Sequence, residues 1–144
     1  MTYKSTTCDR VHMARWEGAA TLDDLKRLMA EVEGLHATLG RQAVHVSIVP
    51  QGFPPMPADV RTYIVREAPQ LFSHCAAIYN VVEGTGFWAS AMRGVFTGLV
   101  MAIGVRGKVF VEPSLQASAR HIREHYGVDA DRIIAAARET GVAA

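Results

Sequence analysis

Cysteine is nearly missing from this chain. Only Cys8 and Cys75 occur, in neither a C-x-x-C pair nor a zinc-ligand spacing, which argues against a disulfide framework or a structural zinc knuckle. An excess of charge of either sign is missing too. Lysine and arginine number 15 against 14 acidic residues, and a net charge of +1 leaves no electrostatic footprint for nucleic acid or an anionic membrane. Repeats and low-complexity tracts are absent, and the polar start Met1–Thr6 has no apolar signal core. What remains is a chain of 144 residues, 49% hydrophobic and 20% charged, the composition of one globular domain able to bury its own core. Two thiols outside any pairing pattern suit a reducing cytosol, and a cytoplasmic location is the expectation.

The hydrophobic periodicity changes along the chain. From Tyr3 to Trp16 it alternates as in a hairpin, with Asp9-Arg10 near the turn. Thr21, with Asp24 three residues on, reads as a short-armed capping box. It opens a helix whose stripe runs through Leu22, Leu25, Leu28, Met29, Val32, Leu35 and Leu39 to a stop at Gly40. Ala43–Val49 reads as a half-buried strand with Val44, Val46 and Ile48 on one face. A proline-rich loop, 50–57, leads to a helix from Ala58 that Pro69 should break or kink. A strand from Ala76 to Val82, an apolar helix and a strand from Lys108 to Glu112 follow. Ser114 and Asp129 then cap two closing helices. Strands alternating with helices predict an α/β domain over residues 1–144. Its mixed, mostly parallel sheet of about five strands would carry an N-terminal antiparallel hairpin and helices on both faces.

The apolar run Phe87–Val105 is near the lower length limit for a membrane span, but it contains Arg93, Gly94, Gly98 and Gly104. A buried helix of a soluble protein is the expectation, with no transmembrane span. On a helical wheel Trp88, Met92, Val95, Leu99 and Ile103 share one face. Ser90, Gly94, Thr97, Gly98 and Met101 share the other, which is small enough for a second helix to approach closely. These five are the candidate interface with a second copy or another protein.

Three motifs carry possible chemistry. Gly84-Thr85-Gly86-Phe87-Trp88-Ala89 fits G-x-G-x-x-A between a strand and a helix, the context of a dinucleotide turn. Glu83 before it and the bulk of Phe87 and Trp88 disfavour a pyrophosphate, so glycines serving a tight turn are the simpler reading. His121-Ile122-Arg123-Glu124-His125 spells H-x-x-E-H, yet no third ligand is identifiable and a polar helix face is expected. His74-Cys75 places a base beside a thiol, but neighbours on an extended chain point to opposite faces. Histidines 12, 36, 45 and 74 are scattered in sequence, and no Ser-His-Asp or paired-carboxylate pattern can be assembled from spacing.

The segment order, with Trp16-Glu17-Gly18 leading into the helix capped at Thr21, resembles the STAS-like (SpoIIAA-like) family over about Tyr3 to Tyr126. The resemblance implies a small cytosolic regulatory or ligand-sensing module. Its best-known branch, the anti-sigma-factor antagonists, has a phosphorylatable serine between the strand matching Ala43–Val49 and the next helix. Here residues 50–59 contain no Ser or Thr, so the chain sits with the branch lacking that serine and no phosphosite is carried over. The expectation is a non-enzymatic module, without cofactor, metal or nucleic acid, that binds a protein partner, including a second copy as a homodimer, or a small apolar ligand. The residues expected at the ligand are Phe53, Met56, Gly84, Thr85, Gly86 and Phe87. The rival is a small nucleotide- or metabolite-binding enzyme built on the Gly84–Ala89 turn.

Overall fold

The structure, a computed structural model, describes residues 1–104 and 107–144; the last residue of the apolar run, Val105, lies outside them. Ten elements follow in order: β1 (Tyr3–Cys8), β2 (Val11–Trp16), α1 (Leu22–Leu39), β3 (Ala43–Val49), α2 (Ala58–His74), β4 (Cys75–Val82), α3 (Gly86–Ile103), β5 (Val109–Glu112), α4 (Leu115–Tyr126) and α5 (Ala130–Glu139). The five strands lie in chain order, β1-β2-β3-β4-β5. The β1–β2 hairpin is antiparallel and each later pair is parallel. This is the α/β domain with a mixed sheet that the segment order predicts.

Strands added always on the same side, through crossovers of one hand, place every crossover helix on one face. That face holds α1, α2 and α3, with Leu25, Leu28, Val32, Val60, Phe72 and Met92 packed over Ala14, Trp16, Ala43, Val49 and Val82. The opposite face would be bare without α4 and α5. Their Leu115, Ala119, Ile122, Ile133 and Ala137 cover Val11, Met13, Val44, Val46, Ile48, Tyr79 and Val81. The caps read from sequence are in place. Thr21 accepts from the Asp24 amide at 3.2 Å, Ser114 from Ala117 at 3.1 Å, and Asp129 from Asp131 and Arg132 at 2.8 and 3.1 Å. Gly40 and Gly127 end their helices with φ of 68° and 69°.

Four local expectations are corrected. The Asp24 carboxylate does not reach back to Thr21; it accepts from the amide and hydroxyl of Thr2, tying the N-terminus to α1. Ala43–Val49 is buried at all seven positions, because helices cover both faces of this central strand. Pro69 does not break helix α2, which continues to His74. Pro69 and Val65 lie on the exposed side, where solvent can reach the carbonyl that proline leaves without a partner.

The fourth correction concerns α3, which is not a buried helix: only Ala89 and Met92 are fully buried. Its inner face is Trp88, Met92, Phe96 and Ile103, whereas Val95, placed inward by the wheel, is 46% exposed. By length and composition this is the one helix among the described residues that is apolar enough to cross a membrane, with 17% of it buried.

Candidate functional site

Between the sheet and the three crossover helices lies a cavity of about 130 Å³. The strands supply its floor and the helices its walls. Leu28 comes from α1, Ile64, Ala68 and Leu71 from α2, and Leu99 and Val100 from α3. Phe53 and Met56, from the stiff 50–57 loop, close one side. The loop is held there by α3, whose Trp88 Nε1 donates to the Phe53 carbonyl at 3.3 Å.

The floor is polar. In the strand register, Thr7, His12, His45, Ile78 and Val109 form one cross-strand row, and Ser5, Ala14, Ser47, Asn80 and Val111 the next. A strand sends alternate side chains to opposite faces, so the same residues that place Val44, Val46 and Ile48 against α4 and α5 turn His45 and Ser47 toward the cavity. His45, Ser47 and Asn80 all line it, and all are buried.

These groups are joined to a carboxylate. His45 and His12 stack with ring centroids 5.1 Å apart, and their Nδ1 atoms are 3.0 Å apart. His12 Nε2 lies 3.5 Å from Glu31 Oε1 on α1. Glu31 also accepts from the Tyr3 hydroxyl and, at 2.5 Å, from Ser5 Oγ. Burial alone would raise the Glu31 pKa. The bonds from His12, Ser5 and Tyr3 outweigh it and hold the carboxyl at about 2, so Glu31 is an anion at neutral pH. Burial, then the neighbouring His12, keeps His45 well below the usual imidazole range, so this ring is neutral. Beside the pair, Trp16 Nε1 donates to Ser47 Oγ at 2.9 Å.

The sequence-derived candidates are divided between several places. Phe53 and Met56 line the cavity; Gly84, Thr85, Gly86 and Phe87 do not. Phe87 is 90% exposed. Gly84 and Gly86 have φ of 97° and 83°, and a Cβ on Gly84 would meet the Gln51 side chain at 2.8 Å, the signature of a tight turn against a neighbouring loop. Arg93 donates to the Val82 and Gly84 carbonyls at 3.1 Å, and Glu83 pairs with Arg15 at 2.6 Å, so the polar groups around this turn hold the turn itself. Ser90, Gly94, Thr97, Gly98 and Met101 are exposed on the outer side of α3, with nothing within 4 Å of a Cβ built on either glycine.

The remaining motifs resolve into local contacts. His121 and His125 pack at 4.3 Å, His121 lies 3.8 Å from Glu112, and Glu124 is exposed. No group of three or more metal-ligating side chains is assembled among the described residues. His74 turns to His36, Nδ1 to Nδ1 at 3.0 Å, rather than to Cys75. Burial raises the Cys75 thiol to about 12, although Lys108 opposes it, which leaves a poor nucleophile. The scattered histidines thus pair across the fold as His12–His45 and His36–His74. Comparison with family models, with curated proteins and with solved structures finds no match to this chain.

Proposed function

We propose that the chain is a non-enzymatic cytoplasmic module of the STAS-like kind that binds a small, largely apolar ligand between its sheet and helices α1–α3. The observation that carries this reading is the cavity itself: apolar walls on three helices over a floor of a few convergent polar groups, the usual build of a small-molecule site. Its size is close to that of an engineered cavity of about 150 Å³ known to hold benzene, so the probe to use has about six carbons. Hexan-1-ol, present at roughly 100 times its dissociation constant, should stabilise the protein by about 2.7 kcal/mol. For a domain of this size that raises Tm by roughly 5–10 °C. ATP and NAD should leave Tm unchanged. A shift with a nucleotide and none with hexan-1-ol would favour the enzyme built on the Gly84–Ala89 turn.

A second reading, self-association through α3, is favoured by one observation. Its outer face exposes Phe87, Val95 and Met101 around two open glycines, which together make an apolar strip. A two-fold contact would bury that strip against its own copy. Sedimentation of the wild type should then show a dimer that Gly98→Leu weakens while leaving the monomer folded, since no neighbour lies within 4 Å of a Cβ at that position. A wild type that stays monomeric at high concentration removes this reading.

A further inference from the structure

His45, on the cavity floor, is one end of a chain of three titratable groups, Glu31, His12 and His45, and their geometry limits where protons can sit. Ionised Glu31 orients an Nε2–H of His12 toward itself. With Nε2–H turned to Glu31, the neutral tautomer of His12 has its lone pair on Nδ1, 3.0 Å from His45, and in that pairing His45 donates from its own Nδ1. The ring nitrogen left on His45 is Nε2, a lone pair on a side chain that lines the cavity. Two side chains that can donate line the same cavity. Ser47 Oγ receives the Trp16 N–H, so its own hydrogen is free to be given away. Asn80, in register with Ser47 on the next strand, offers an amide N–H₂. One proton acceptor and two donors around the same floor suit a carboxylic acid that gives up its proton.

We propose that the ligand of this cavity is a small apolar carboxylic acid, bound as the carboxylate with its proton passed into the His45–His12–Glu31 chain. The proposal rests on the small-ligand reading above and names the ligand class for that same site. The steps balance. The acid O–H breaks as Nε2–H of His45 forms, and Nδ1–H of His45 breaks as Nδ1–H of His12 forms. The charge left on His12 as imidazolium faces the Glu31 carboxylate, while the ligand keeps its negative charge against Nε2–H of His45, Ser47 and Asn80. No other charged group competes among the described residues lining the cavity. Leu28 of α1, Ala68 of α2, Leu99 of α3 and Val109 of β5 present only hydrocarbon, and β1 contributes Tyr3 and Ser5 solely as donors to Glu31.

The test is calorimetric titration of the full chain with sodium hexanoate and with hexan-1-ol at pH 8, in buffers of different ionisation enthalpy. Hexanoate is ionised at that pH, so its binding should draw one proton from the buffer per ligand, and hexan-1-ol should draw none. Glu31→Gln should abolish the uptake and weaken hexanoate by about 30-fold or more, the usual scale for removing one member of a buried charge pair, with hexan-1-ol unaffected. If that variant does not fold, His12→Asn breaks the same chain one group further in and should do the same. Hexanoate binding without proton uptake, or uptake that survives both substitutions, overturns the relay while leaving the apolar site standing. Binding of neither compound overturns both.

Discussion

Glu31→Ala should destabilise the fold by about 2–4 kcal/mol, read as a lower urea midpoint at unchanged m. The carboxylate is the shared acceptor for the Tyr3 and Ser5 hydroxyls and the neighbour of His12, and Tyr3 and His12 are buried. Alanine leaves these donors without a partner and away from water, which costs more than the bonds contribute. The same network sets the acid limb of stability. His45 has a folded pKa below its unfolded value of 6.5, so as pH falls below 6.5 the unfolded chain gains a proton that the folded one refuses. Stability then drops by up to about 1.4 kcal/mol per pH unit.

Glu31 adds a second loss lower down. Its folded pKa of about 2 lies below the ordinary 4.5, so its contribution is complete above 4.5 and disappears as pH falls through 2. With the Glu31 side chain 33% exposed, solvent screening reduces that contribution to about 2 kcal/mol. Asp24 acts in the same lower window. Burial alone would raise its pKa, but the bonds from the Thr2 hydroxyl and amide bring it below the ordinary value. Urea midpoints between pH 7 and 3 should therefore decline in two segments. Glu31→Ala flattens the lower segment and His45→Gln the upper. A midpoint independent of pH down to 4 would contradict the arrangement of the buried pair.

The two faces of the sheet should differ sharply in their response to truncation. Ile122 of α4 is completely buried within the cluster under α4 and α5, and Ile122→Ala should cost about 2–5 kcal/mol, the transfer loss plus a cavity that close packing cannot refill. Leu99 of α3 is only partly buried and already borders empty space. Leu99→Ala should cost less than about 1 kcal/mol, because no new enclosed void is formed. It should also enlarge the cavity enough to admit longer chains, octan-1-ol gaining on hexan-1-ol. Equal costs at the two positions would mean that the α3 side is as tightly packed as the α4 side, leaving no ready space for a ligand.

Most of the architecture was legible from periodicity and caps, because Thr21, Gly40, Ser114, Gly127 and Asp129 act through neighbouring backbone. The alternation in β3 defines two faces, and as a pattern it describes a strand wet on its His45–Ser47 side, because nothing local says that α1–α3 will cover that face. The His12–His45–Glu31 chain depends on parallel register between strands more than thirty residues apart, which no local spacing encodes. One local signal exists: Glu31 falls three residues after Leu28 and four before Leu35, at the edge of the apolar stripe of α1, where a half-buried carboxylate needs a partner. The outer face of α3 was misplaced by the wheel at Val95, since the helix sits on the edge of the helical layer rather than beneath another helix.

Methyl-resolved NMR of the wild type titrated with hexan-1-ol tests the central claim most directly. Saturable shifts should appear at Ile64, Leu71, Leu99, Val100 and Ile103 around the cavity, with Ile122 and Ile133 on the opposite face unmoved. Saturation with none of those five methyls shifted, or the same shifts at Ile122 and Ile133, would contradict a ligand site between the sheet and helices α1–α3.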